Sequence, residues 1–282
     1  VFYYNADLFA AAGLENPTEL EARGAWTWET FRDAARKLTR SDGEVVRQWG
    51  FTTTVTNNFK RMASWIEDGG GFWFDPADPA VFTGHTPEAR TGVDFVYDLI
   101  WTDRSTSPTW QASDFRGGRA GMAEDGIHAL LAGVKPQVGD SFTWNIAPRP
   151  VGPAGRSPWI TDDSVAIWAG TEHPEEAFRF LLFITSKEGQ EIMVEEEGLP
   201  PVRRAAAGRY LALDPAIDLD VFVEHATVGS PIITTRMAGD ALRIGAILNN
   251  TLAATVMRNE QDYGVAILEA RDVIQSIIAE TR

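Results

Sequence analysis

The 282-residue chain carries 40 acidic against 25 basic residues, a net charge of −15, with 44% hydrophobic and 23% charged residues. That length suggests about two domains with real apolar cores, while so negative a surface excludes nucleic acid and anionic membrane as partners. Cysteine is absent, which removes disulfides and thiolate chemistry, and no apolar run approaches the roughly 18 residues of a membrane span.

Val1 to Tyr4 is β-branched and aromatic and reads as a buried strand; Asn5 caps a short helix through Ala12, ended by Gly13. Pro17 falls in the loop that follows. Thr27 then caps a helix whose inner face is Phe31, Ala34, Ala35 and Leu38, at i, i+3, i+4 and i+7. Gln48 to Val55 resembles a strand. Asn57 to Glu67 is helical, with Phe59, Met62, Ala63 and Ile66 on one side, and stops at Gly69-Gly70-Gly71. After Phe72-Trp73-Phe74 and a loop from Asp75 to Pro79, Thr86-Pro87-Glu88 starts a helix with a cap, a proline at the first position and an acid in the first turn.

The stretch from Asp114 to Leu131 is a turn at Gly117-Gly118, a short strand from Ala120 to Ala123, and a helix from about Ile127. Between strand and helix stand Glu124, Asp125 and Gly126, followed by His128. In open α/β sheets ligands settle at the carboxyl ends of strands, where helix N-termini offer free N–H groups. The plain alternative is a strand-to-helix joint whose carboxylates only cap the helix.

Phe142 to Pro150 reads as a strand that ends at two prolines, the candidate linker. Ser164 to Ala169 is a short apolar strand, and Pro174 to Thr185 an amphipathic helix with Ala177, Phe178, Leu181 and Leu182 buried. A helix from Ser186 towards Gly198 follows, then helices over Ala216–Ala226, Ala238–Met257 and Asp262–Ile278. Strands alternating with helices define an α/β protein.

The order of motifs resembles a known family. Tyr3-Tyr4-Asn5-Ala6-Asp7-Leu8-Phe9 with Ala12-Gly13-Leu14 and Trp26-Thr27-Trp28-Glu29-Thr30-Phe31 is similar to the "YNKDLFEKAGL…TWDEF" run of the extracellular solute-binding proteins of ABC transporters, in their carbohydrate-binding, maltose-binding-protein-like branch. Phe115 to Met122 is similar to "F..GKAAM", Ile146 to Pro150 to the "APLP" crossing, Ala177 to Ile184 to "AWEFLKFL", and Gly198-Leu199-Pro200 to "G.LP". Each motif is weak alone, but five in the right order span the chain.

The resemblance implies a periplasmic-binding-protein-like fold of type II, two lobes joined by a hinge with the ligand between them. Residues 1–147 and 200–282 would form a largely complete C-terminal lobe, and 151–197 a segment of the N-terminal lobe. The buried-looking first strand and the lack of a signal peptide then suggest a fragment without most of that lobe. The implied partners are a small-molecule solute, a carbohydrate first, and the permease subunits of the transporter. Contact with membrane would run only through a lipid anchor on the absent N-terminus, at the cell surface or in the periplasm.

Sugar binding needs flat aromatic faces and hydroxyl partners. Trp28, Trp65 and Trp101 lie beside core positions and read as structural, while Trp73 and Trp144, near loop or hinge, are the better platforms. In the family the loop after "AM" commonly reads Gly-x-Trp with the Trp stacked on sugar; here Gly126-Ile127-His128 puts His128 there, which implies a smaller or more polar ligand or another aromatic. Asn57 and Asn58 fall where relatives place polar contacts, and Trp159, Asp162 and Asp163 fall on the other lobe's cleft loop, where relatives often have glycines. Arg236, Arg243, Asn249 and Asn250 lie near the late helix whose start lines the cleft in relatives; a solvated helix arginine is the alternative for Arg243.

An enzyme fits less well. The histidines at 85, 128, 173 and 225 have no zinc spacing, no Gly-x-Ser-x-Gly turn exists, and adjacent Asp162 and Asp163 on an extended strand would face opposite ways. No metal or cofactor is expected. The remaining alternatives are the same fold binding a polyamine or peptide, and a secreted glycoside-active enzyme.

Overall fold

In the computed structural model, which describes residues 1–127, 130–161, 164–231, 233–235 and 237–280, the chain opens with strand β1 (Phe2–Asn5), helix α1 (Ala6–Ala11) and helix α2 (Pro17–Ala22). Helix α3 (Trp28–Leu38), the hairpin β2 (Arg40–Asp42) and β3 (Val45–Thr52), helix α4 (Phe59–Asp68) and helix α5 (Pro87–Tyr97) follow. Then come α6 (Ala112–Arg116), β4 (Ala120–Glu124), α7 (Lys135–Val138) and β5 (Trp144–Ala147). The later elements are β6 (Trp159–Ile160), α8 (Pro174–Ile184), α9 (Lys187–Glu197), α10 (Ala207–Leu211), α11 (Asp220–Val228), β7 (Ser230–Pro231), α12 (Ala241–Leu252) and α13 (Tyr263–Glu280).

Helix starts obey local chemistry. Thr27 accepts from the N–H of Thr30, whose hydroxyl in turn accepts from the Thr27 N–H, and Thr86 accepts from the Ala89 N–H. Pro17 is not in a loop. Asn16 and Glu19 close a capping box around it, and proline at the first helical position loses no hydrogen bond, so a short helix forms.

The main sheet has the order β2-β3-β4-β1-β5. β1 lies antiparallel between β4 and β5, with Phe2 opposite Glu124 and Ala147, and β3 runs parallel to β4 with Thr52 opposite Ala123. Alternation along β1 supplies two cores. Phe2 and Tyr4 enter a large one with α3, α4, α5, α12 and α13; Tyr3 enters a smaller one with Phe115, Val134, Val194 and Tyr210. In the large core Phe31 packs edge-on to Phe2 and Phe51, ring centres 5.5 and 4.9 Å away. At Gly92, α5 approaches α4 so closely that a Cβ would sit 2.2 Å from the Trp65 carbonyl oxygen.

The middle segment differs from expectation. Ser164 and the residues after it through Trp168 form no strand, and Val165 and Trp168 are 60% and 77% exposed. Helix α8 forms as expected, but Phe178 and Leu182 are exposed and Ala177 and Leu181 only half-buried. The helix expected from Ile127 is a turn followed by a π-helical stretch (Leu130–Val134) and α7. The expected linker from Phe142 to Pro150 is anchored at its end: residues 146–150 are buried, and the Trp26 indole donates to the Pro148 carbonyl at 2.9 Å.

Candidate functional site at the carboxyl edge of the parallel strands

β3 and β4 point the same way and end side by side, so their following loops, 53–58 and 125–127, share one edge of the sheet with the N-terminus of α4. This is where an α/β sheet offers donors and acceptors to a ligand. Asn58 caps α4, its side chain accepting from the N–H groups of Lys60 and Arg61. One turn on, the Arg61 guanidinium meets Asp125 at 3.0 Å, and the Tyr3 hydroxyl donates to the Gly126 carbonyl at 2.9 Å. Burial pushes the Tyr3 phenol well above its usual range, so it stays a donor.

The two acids at the end of β4 split their roles. Asp125 is half-buried at the edge, whereas Glu124 turns inward, buried, and accepts from the Thr53 hydroxyl at 2.9 Å, the Trp65 indole at 3.1 Å and Arg149. Arg149 also donates through Nε and Nη2 to Asp68 at 3.2 and 2.9 Å and lies 4.7 Å over the Trp65 ring. Burial pushes the Asp68 carboxyl upward, against the pull of Arg149 and the Ser157 N–H. Glu124 is thus a structural anchor and not an open ligand group.

Other expected site residues scatter. Asn57 is exposed beside the α4 cap, at the same edge. Trp73 is corrected to the core: it is 1% exposed, its indole N–H donates to the Phe59 carbonyl at 2.9 Å, and its ring stacks near Phe82. Trp144 is half-buried, 6.2 Å from Tyr3 between ring centres. Trp159 is half-buried on β6, opposite Ser230 of β7. Arg243 is exposed and pairs with Glu280 at 2.7 Å across two solvated side chains. Asn249 accepts from the Phe59 N–H at 2.8 Å, which makes it a brace for the start of α4, and Asn250 is exposed. His128, Asp162, Asp163 and Arg236 lie outside the described residues.

Sequence reasoning missed Arg61, Arg149 and the threonines at the end of β3. The hydroxyls of Thr52 and Thr54 are buried without a hydrogen-bond partner among the described residues, and Thr52 lines a depression with Asp125, Trp110 and Arg116 whose volume is about 10 Å³, room for about one water. A groove of about 330 Å³ lies elsewhere, between Tyr97 and Asn259; its Arg90, Asp94 and Asp262 are engaged with one another and it holds none of the expected site residues. The available signal was a lone arginine inside the otherwise apolar run from Ile146 to Val151, a charge that must find carboxylates if buried.

A mixed sheet with its polar groups gathered at the carboxyl edge is the architecture of an α/β ligand-binding protein. The chain belongs to the bacterial extracellular solute-binding proteins, whose family model matches residues 1–191. It is 26% identical over 196 residues to a lipoprotein from the oleD 5′ region of Streptomyces antibioticus, a match that covers 65% of this chain and 41% of that protein. The chain therefore spans less than half the length of that relative. In fold it resembles the ABC substrate-binding protein Lmo0181 of Listeria monocytogenes in complex with cycloalternan, with TM-score 0.80, 19% identity, and coverage of 99% of this chain and 69% of that one. The maltose/maltodextrin-binding domain MalE of Bdellovibrio bacteriovorus bound to maltotriose gives TM-score 0.78 at 17% identity, covering 99% and 70%. No helix among the described residues is long and apolar enough to cross a membrane.

Proposed function

We propose that this chain captures a sugar or oligosaccharide for an ABC importer, holding it between two lobes and handing it to the permease subunits. The family match over residues 1–191 carries this reading; the sugar ligands of the Listeria and Bdellovibrio structures support the substrate class. Residues 1–147 and 200–282 act as one lobe, joined by the crossing through Ser157 and by Val194, and the remainder of 151–197 leads to the other. Closure of a hinge between them is the switch that such an architecture provides.

Ligand recognition falls to the carboxyl edge. Asp125 and Arg61 offer an acceptor and donors to sugar hydroxyls, and Asn57 lies beside them. Trp159 on β6 adds an aromatic face, and the proposed set also includes His128, Asp162 and Asp163. Binding without catalysis is the reading the family supports. Location outside the cytoplasmic membrane follows from the family description, and anchoring by lipid is supported by the lipoprotein relative.

Thermal shift of the full-length protein against a panel of mono- and oligosaccharides tests the proposal, and at least one sugar raises Tm. No shift with any sugar, together with a shift on spermidine or a short peptide, replaces the carbohydrate reading. Release of shorter sugars during incubation replaces the binding-only one. Within the sugar reading, Asp125→Ala weakens binding by about tenfold, the cost of one charge-assisted hydrogen bond, measured by calorimetric titration.

A further inference from the structure

We infer that Arg149 is a positioning residue, which locks the ligand-side loop 125–127 to the segment that leads into the second lobe. This rests on the receptor reading above. Arg149 stands in the crossing between β5 and β6, yet its side chain is only 2% exposed, and its partners Asp68 and Glu124 are 0% and 4% exposed. One guanidinium thus joins three elements. Glu124 is the last residue of β4, directly before Asp125. Asp68 is the last residue of α4, whose first turn pairs with the same loop through Arg61.

The crossing is itself bound to this frame. Val151 exchanges backbone hydrogen bonds with Trp26 and Trp28, both 2.9 Å, and the Ala154 N–H donates to the Asp68 carbonyl oxygen at 2.9 Å. The Ser157 N–H donates to the Asp68 carboxylate at 2.5 Å. Gly152 passes so near the end of α4 that a Cβ would lie 2.5 Å from the Asp68 carbonyl oxygen. Beyond Ser157 the chain turns to β7 instead, with the Ser157 and Ser230 hydroxyls 3.0 Å apart and Trp159 opposite Ser230. Bending between lobes is therefore displaced past Ser157, and the crossing before it moves with the ligand loop.

Arginine is required by geometry as well as charge. Its Nε and Nη2 serve Asp68 while Nη1 serves Glu124; a lysine ammonium is a single point that cannot fork to both. If Arg149 only filled the core, substitution would loosen the whole fold evenly.

The test is amide hydrogen exchange on full-length Arg149→Lys, with a maltotriose titration alongside. Exchange at 123–127 and at Ala154 and Ser157 becomes at least about tenfold faster while α12 and α13 are unchanged, the pattern of a local opening. Equal acceleration throughout, or none at 123–127, overturns the proposal. Where wild type binds maltotriose, the variant loses at least about fivefold in affinity, and unchanged affinity overturns it; where wild type binds no maltotriose, the carbohydrate reading is judged separately by the sugar panel and exchange decides. If Arg149→Lys does not fold, Glu124→Gln carries the test: its acceleration is confined to 123–127 and spares Ser157, and any other pattern overturns the coupling.

Discussion

Helices α4 and α8 have ten and eleven residues, and each carries an apolar stripe, yet α4 buries seven of its residues and α8 none. The difference is in the surroundings. α4 is enclosed by α5, α12 and the sheet, with Trp65 in contact with Trp28, Phe31, Phe51 and Phe95. Phe178, Phe180 and Leu182 of α8 stand 55%, 61% and 54% exposed. Large apolar side chains left exposed in such number mark a surface with a binding or packing role. Amphipathic pattern sets which face of a helix seeks cover; only a neighbouring element decides whether it finds any.

The sharpest way to break this comparison is to truncate one side chain in each region. Phe31→Ala removes a fully buried ring at the junction of Phe2, Phe51 and Trp65, and should cost about 3–5 kcal/mol in urea unfolding. A loss below about 1 kcal/mol would mean the large core is far looser than the structure shows.

A second, intermediate effect comes from His225 on α11, buried with its Nε2 unpartnered among the described residues. Burial, with help from Arg156 and Arg149, pushes its imidazole down from 6.5 to about 2. The folded chain then refuses a proton that the unfolded chain accepts, so stability present above pH 6.5 is lost as pH falls below it. The slope reaches at most about 1.4 kcal/mol per pH unit for this one group. Unfolding midpoints measured between pH 7.5 and 5 should fall, and His225→Phe should flatten that part of the profile. An unchanged slope in the variant would place the acid sensitivity elsewhere.

The smallest expected effect lies in the open segment. Phe178→Ser should change stability by no more than about 0.5 kcal/mol, while lowering the fluorescence of a dye that binds exposed apolar surface. A cost near that of Phe31→Ala would show α8 covered in solution, and the contrast between the two helices would disappear.

Much of the fold was legible because it depends on near neighbours in the chain. Caps at Asn5, Thr27 and Thr86 and the i, i+3, i+4, i+7 stripe of α3 are rules of a few residues' reach, and they placed these helices to within a residue or two. The family motifs likewise lie in order along the chain, and the family match agrees with them. The candidate site was legible only in part. The stretch from Gly117 to Gly126 was identified, but its two adjacent acids were treated alike, though strand alternation sends Glu124 inward and leaves Asp125 at the edge.

By itself, then, the sequence determined the α/β class and the family. Tertiary structure alone decided that Trp73 is core, that β3 and β4 run parallel, and that Arg149 finds Asp68 and Glu124, 81 and 25 residues away along the chain. The physical reason is the range of the interaction. Backbone propensity and capping act within a turn, whereas the burial of a charge or an indole is resolved only when distant segments arrive to pair with it.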